Sequence, residues 1–156
     1  LMDNTINLAR LTLVLPTYER QDFALRLINY WANRGPKLIV TDGSKKPFNA
    51  EILNQLGEGV QYLHRPVGMY QRLQESLDLI QTEFVAIAGD DEFYLPSAVA
   101  ACIKELDENQ EMVACCGQAL AFSVYRQIIC GAPQYSKLEN YFIGSDEPSS
   151  RVSYHM

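Results

Sequence analysis

The stretch LTLVLPTYERQDFALRLINYWANRGPKLIVTDGS, residues 11–44, contains one complete strand–helix–strand unit. Leu11–Leu15 is a short apolar run closed by Pro16, too brief for a helix and typical of a strand buried on both faces. Phe23, Leu27 and Trp31, with Ala24 and Ile28 beside them, then recur at the three-to-four-residue spacing of one helical face. Gly35-Pro36 stops that helix, because Pro disfavours helical geometry in the residue before it. Lys37–Thr41 is a second apolar strand, and Asp42-Gly43-Ser44 turns the chain. Two strands joined through a helix lie parallel, with a right-handed crossover.

The same alternation continues outward. Ile52, Leu53 and Leu56 mark a short helix that Gly57 and Gly59 end, and Val60–His64 is a third strand. Met69, Leu73, Leu77 and Ile80 space out another helix, and Phe84–Ala88 is a fourth strand. Pro96 opens a helix running from Ser97 to about Asn109, Pro being favoured at a helix start. Met112–Tyr125 reads as strand interrupted near Gly117, and from Gly131 the pattern gives way to Pro, Gly, Ser and Tyr. The expectation is an α/β fold: a Rossmann-like, doubly wound, mostly parallel sheet covered on both faces. Residues 1–130 form that domain, and residues 131–156 are a loop-rich region after it.

In open α/β sheets, ligands bind beyond the carboxyl ends of the strands, where strand order reverses. Three polar clusters fall at such ends: Pro16-Thr17-Tyr18-Glu19-Arg20, Asp42-Gly43-Ser44 and Gly89-Asp90-Asp91-Glu92. The last places three carboxylates in a row at the mouth of an apolar sheet, where they repel one another. Either they cap a helix N-terminus as a solvated turn, or a hard divalent cation, Mg²⁺ or Mn²⁺, relieves the repulsion together with substrate phosphates. Asp42 has two readings as well: a turn that caps local amides, or a residue facing a ligand. Arg65 is a candidate for a phosphate, His64 reads as a loop or core residue, and Arg72 reads as part of a solvated helix face. Neither a phosphate-binding G-x-x-x-x-G-K-[ST] loop nor a G-x-G-x-x-G dinucleotide motif occurs in the sequence.

Composition narrows the partners. Of the 156 residues 47% are hydrophobic, enough for a real core, and the formal charge of −6 argues against nucleic acid or an anionic membrane surface. A nucleoside diphosphate would need its charge met locally, by a metal or a few Arg and Lys. Cys102, Cys115, Cys116 and Cys130 form no C-x-x-C pair and, with only His64 and His155, offer no zinc constellation. They read as buried, reduced thiols, which favours the cytoplasm, including the cytoplasmic face of a membrane. No run approaches the ~18 apolar residues of a membrane span. The chain opens on Leu1 rather than Met, as an internal segment or processed chain would.

These motifs carry a resemblance. Leu13–Arg20, Ile39–Ser44 and Gly89–Pro96 resemble, in order and spacing, three successive donor-site motifs of family 2 glycosyltransferases of the GT-A type. The similarity runs from about residue 10 to residue 125. It implies a metal-dependent enzyme that transfers sugar, with inversion, from a nucleotide-diphosphate sugar, usually a UDP-sugar, to a saccharide, lipid-linked or protein acceptor. By position, Thr17 and Glu19 of the strand-one loop would lie against the nucleoside and Asp42 would recognise the base, with Pro16, Tyr18, Gly43, Ser44 and Arg65 also in the donor nucleotide site. Asp90 would serve the ribose and the metal, and Asp91 the metal, Mn²⁺ or Mg²⁺. Two departures stand out: Gly89 occupies the first acidic position of the usual Asp-X-Asp-Asp, and the usual Asn-X-Gly reads Pro66-Val67-Gly68.

Inverting transfer also requires a general base for the acceptor hydroxyl. Past Glu139 the only carboxylates are Asp146 and Glu147, which lie in a loop-like context and are weak candidates for that base. The expectation is a donor-binding portion lacking most of the acceptor half, with an apolar edge that invites self-association. A non-catalytic nucleotide-sugar-binding or scaffold module is the alternative. A sugar nucleotidyltransferase fits less well, since Pro16–Arg20 is not the Gly-rich basic loop that it would want.

Overall fold

The computed structural model describes residues 8–134, 143–147 and 149. The chain divides between Cys115 and Cys116 into two compact units. In the first, strands and helices alternate: β1 (Leu11–Thr17), α1 (Gln21–Trp31), β2 (Lys37–Asp42), α2 (Ala50–Gln55), β3 (Val60–His64), α3 (Met69–Leu77), β4 (Phe84–Ile87) and α4 (Pro96–Glu108). The four strands form a parallel sheet in the order β3-β2-β1-β4. The chain winds outward from β1 through β2 to β3, then returns to place β4 on the other side of β1. Strand order therefore reverses between β1 and β4, and the Thr17 and Gly89 ends flank that crevice.

The core lies where the apolar runs predict it. Leu11, Leu13 and Leu15 of β1 and Leu38 and Val40 of β2 pack with Ala24, Leu27, Ile28 and Trp31 of α1. The buried face of α1 is thus offset from the expected one: Phe23 is exposed at the rim, and Ala24 takes its place inside. The helix ends at Trp31, with Ala32 as its C-cap and Asn33 at a φ of +61°. Gly35 follows at a φ of +105°, a conformation that costs Gly little, and a Cβ there would also sit 3.1 Å from that of Leu8. At the opposite ends of the strands, Arg10 bridges Glu83 and Asp107, tying the entrance of β1 to that of β4 and to the last turn of α4.

Two expectations are corrected here. The sheet is not covered on both faces throughout, because β4 alternates, with Val85 and Ile87 more than half exposed. A four-residue apolar run cannot reveal which of its faces is covered. The second correction concerns residues 112–133, where no strand forms until Leu120. There β5 (Leu120–Tyr125) and β6 (Ile128–Pro133) pair as an antiparallel hairpin, so the strand signal continues past Gly131. The two-residue turn is Arg126-Gln127, with both residues at positive φ, as tight hairpin turns require. Neither residue belongs to the Asn-Gly or Asp-Gly pairs that announce such a turn, and the hairpin is unmarked in the sequence for that reason. Against the expectation of buried thiols, none of the four cysteines is buried: Cys102 and Cys115 are half-buried, Cys116 and Cys130 exposed.

Candidate functional site

The site starts from the switch point. Thr17, the last residue of β1, donates its hydroxyl to Asp90 Oδ2 at 2.8 Å, and both residues are buried. This bond pins the turn after β4 to the end of β1. Glu19 then takes a φ of +54°, a left-handed conformation that is unusual for this residue type, and local partners hold it there. Its backbone N–H donates to Ser44 Oγ and its carboxylate accepts the Lys45 N–H, both at 2.8 Å. The loops after β1 and β2 are in this way sewn into one rim, with Tyr18 exposed on it and Pro16 half-buried.

Asp42 ends β2 without any exposed surface. Its Oδ1 accepts the Ser44 N–H at 2.8 Å, closing a turn of the Asx type. Its Oδ2 accepts the Tyr62 hydroxyl at 2.6 Å and the Gln21 side-chain amide at 3.0 Å. Burial alone would push the carboxyl upward, but the hydrogen bonds from Ser44, Tyr62 and Gln21 outweigh it and hold Asp42 below the usual carboxylate range. Tyr62 responds in the opposite sense: burial and the Asp42 partner raise its phenol. Tyr62 also stacks on Phe48, ring centroids 4.8 Å apart, and accepts the Phe48 N–H. His64 Nε2 lies 2.8 Å from the Ser44 carbonyl oxygen and supports the same loop.

Arg72 is the residue that the sequence misplaces. It is buried, not solvated, and its guanidinium donates to the carbonyl oxygens of Thr17, at 2.9 Å, and of Thr41, with Nε donating to Val67 at 3.2 Å. Thr17 ends β1, its carbonyl oxygen also accepting the Gly43 N–H at 2.9 Å, and Thr41 lies one residue before the end of β2, so Arg72 braces the two strand ends together. Burial lowers the Arg72 pKa and the Asp42 charge opposes that shift. Arg72 also explains Gly43: a Cβ at that position would lie 2.7 Å from the guanidinium carbon. Helical spacing on α3 cannot show this, because the polar face of that helix turns toward loops instead of water. Arg65 takes a different position, exposed and ion-paired with Glu75 at 2.9 Å.

The acidic turn divides its three carboxylates among three environments. Asp90 is buried against Thr17, Glu92 folds back to accept the Gly89 N–H at 3.1 Å, and Asp91 stands in solvent. None of them caps α4: its N-cap is Leu95, which makes no side-chain cap bond. Arg20 Nη2 approaches Asp91 Oδ2 at 2.8 Å and Asp90 Oδ1 at 3.3 Å. The Arg20 hydrogen bond holds the Asp91 carboxyl below its ordinary range. Around this point the guanidinium of Arg20 lies 4.6 Å from the centre of the Phe23 ring, and that of Arg26 stacks on both Phe23 and Phe93.

Whether a divalent cation suits this turn can be judged from its donor set. Among the described residues, no three His, Cys, Asp or Glu side chains converge as a protein-only cage would require. Two carboxylate oxygens, however, do converge on the single nitrogen of Arg20. A hard cation that completes its shell with water and phosphate needs only one or two carboxylates, so the residues fit an open site of that kind. Asp146 and Glu147 belong to the second unit and are exposed; the Glu147 N–H donates to Ser145 Oγ at 3.2 Å. Gln21, Tyr62, Arg26 and Phe23 complete the rim without having been singled out for it in the sequence.

Comparison with known proteins gives this geometry a family. No curated protein sequence matches the chain. Twelve chains of solved structures match its fold. One of them, a crystal structure of S. aureus TarS, superposes with a TM-score of 0.52 at 15% identity. The match covers 64% of this chain and 20% of that one, so it concerns about a fifth of the longer protein and shows the fold alone. No described helix is long and apolar enough to cross a membrane. The family model for glycosyl transferase family 2 matches residues 12–142, a span that takes in every strand end described above, and the chain belongs to that family.

Proposed function

We propose that this chain forms the donor side of a glycosyltransferase and binds a nucleotide-diphosphate sugar at the β1–β4 crevice. The observation that carries the reading is the hydrogen-bonded rim, in which Thr17 fixes Asp90 while Glu19 ties the β1 loop to Ser44. A nucleoside laid along that rim meets Tyr18 and the Asp42 turn at one end and Asp90 and Asp91 at the other. Asp90 and Asp91 would hold a divalent cation, Mn²⁺ or Mg²⁺, whose chemistry is to neutralise the diphosphate as it leaves. Asp90 then orients the ribose or that cation, and Asp91 supplies the exposed ligand charge. The donor we favour is a UDP-sugar, because a carboxylate accepts the imide N–H of uracil, a donor that cytosine lacks at that position.

Asp42 qualifies that preference. Asp42 has no exposed surface and its three donors enclose it, so a base N–H reaches it only by displacing Gln21 or Tyr62. Gln21, bound at 3.0 Å against 2.6 Å for a Tyr62 that is also stacked on Phe48, is the more easily exchanged of the two. Transfer itself, with inversion at the anomeric carbon, needs a base on the acceptor hydroxyl and a wall that excludes water. Asp146 and Glu147 are the candidates for the base within the chain. For the compartment we propose the cytoplasm, including the cytoplasmic face of a membrane.

Calorimetry with UDP, CDP and GDP, in Mn²⁺ and in EDTA, tests the reading. UDP binding that requires the metal supports it, and no binding of any nucleotide returns the chain to a scaffold role. Following UDP release from several UDP-sugars with an acceptor panel then tests catalysis. Slow hydrolysis without transfer is expected of these residues alone; efficient transfer lost in Asp146→Asn or Glu147→Gln would place the base in this chain.

A further inference from the structure

Among the described residues of the rim, Arg20 is the one ion-paired with both adjacent carboxylates. A single nitrogen, Nη2, lies 2.8 Å from Asp91 Oδ2 and 3.3 Å from Asp90 Oδ1. A divalent cation held by Asp90 and Asp91 would draw on the same carboxylate oxygens. The guanidinium nitrogen already faces both oxygens, and two positive charges so close repel each other, so the cation and Arg20 compete for the carboxylates. The backbone beneath Arg20 is fixed by the left-handed Glu19 and its bonds to Ser44 and Lys45. The side chain beyond it is 42% exposed and lies over the Phe23 ring, a surface along which it can swing. Arg26 lies over the same ring at 4.7 Å and over Phe93 at 5.2 Å. Two guanidinium groups thus share one aromatic ring beside Asp91, and an anion placed between them would be met by both.

We propose that Arg20 is an exchangeable counter-cation: it balances Asp90 and Asp91 when no divalent cation is on them, and passes to the diphosphate, alongside Arg26, when one is. The inference rests on the donor-site reading above. It makes donor and metal binding interdependent, because the diphosphate gives Arg20 a new anionic partner as the carboxylates change theirs. The ligand class that this geometry takes is a metal-bound diphosphate, in preference to a free metal ion or a neutral sugar.

The test is Mn²⁺ binding followed by electron paramagnetic resonance, first with the metal alone and then with UDP, on the wild type, Arg20→Gln and Arg20→Lys. With its competitor gone, Arg20→Gln should bind Mn²⁺ alone about tenfold more tightly, and UDP in saturating Mn²⁺ about tenfold more weakly. Arg20→Lys keeps a charge but not the planar fork, and should fall between the two. An Arg20→Gln variant that binds Mn²⁺ no better than the wild type, or UDP as well as it does, overturns the exchange while leaving the donor site intact. A wild type that binds neither Mn²⁺ nor UDP overturns both. Circular dichroism of each variant verifies that the fold is retained, since Arg20 lies outside the core.

Discussion

Asp42, at the end of β2, and Asp91, in the turn after β4, are carboxylates on one rim of one sheet, yet their surroundings have little in common. Asp42 is enclosed, and three neighbouring residues donate to it. Asp91 stands in solvent with a long, partly exposed arginine as its partner. Both carboxyls sit below their ordinary range, Asp42 through hydrogen bonds in a buried turn and Asp91 through the partly exposed Arg20. A buried, saturated carboxylate holds loops in place and exchanges partners at a cost; an exposed one is free to change ligands. The rim is therefore held by saturated partners around Asp42 and, through Thr17, at Asp90, while Asp91 is the carboxylate open to exchange.

The strongest way to break this contrast is through Arg72, which underlies the Asp42 side. Arg72→Ala should destabilise the protein by about 3 kcal/mol, because the Thr17 and Thr41 carbonyls lose a charged donor in a buried place. Urea unfolding measures it, and a loss below about 1 kcal/mol would show that water replaces the guanidinium there. Asp42→Ala follows, at about 2 kcal/mol, for the donors of Ser44, Tyr62 and Gln21 left behind. If UDP discrimination over CDP narrows in the same variant, Asp42 also serves the base; unchanged discrimination would leave it a turn residue.

At Asp91 the balance is expected to reverse. Asp91→Asn should weaken UDP binding in Mn²⁺ by about tenfold, or about 1.4 kcal/mol, while stability changes by less than about 0.5 kcal/mol. Equal UDP affinity in the variant, or equal affinity of the wild type in EDTA, removes the metal role.

Acid sharpens the comparison further. The folded-state pKa of Asp42 is lower than its unfolded value of about 3.9, so its stabilising contribution is complete above pH ~4. Below that the unfolded chain takes up the proton first, and the contribution is lost as pH falls toward the depressed folded value. Thermal unfolding between pH 7 and pH 3 should show a shallower acid limb for Asp42→Asn than for the wild type. Identical limbs would mean that other carboxylates govern acid unfolding. The smallest effect is expected in the hairpin, where Phe122, Ile129 and their neighbours are exposed. Replacing Phe122 and Ile129 with Ser should change stability by less than about 0.5 kcal/mol. It should also reduce any self-association seen by sedimentation; association that persists would exclude this apolar surface as its cause.

Much of the fold was legible in the sequence because local patterning dictates it. Leu11–Leu15 and Lys37–Thr41 are apolar runs bounded by Pro and Gly turns, and the face of α1 repeats every three to four residues. Such signals depend only on near neighbours, and β1 through α4 follow from them in order. The convergence of the Thr17, Asp42 and Asp90 loops on one rim was legible too, since parallel strands joined by helices must end on the same side. What the side chains do at that rim was decided by residues far apart in the chain. Thr17 meets Asp90 across 73 positions, and Arg72 meets Thr17 across 55. No periodicity encodes such pairings, so a buried arginine on the polar side of a helix reads as a solvated one. The exposed face of β4 and the Arg126-Gln127 turn escaped the sequence for related reasons: coverage of a strand depends on what packs against it, and this turn lacks the residues that make positive φ inexpensive.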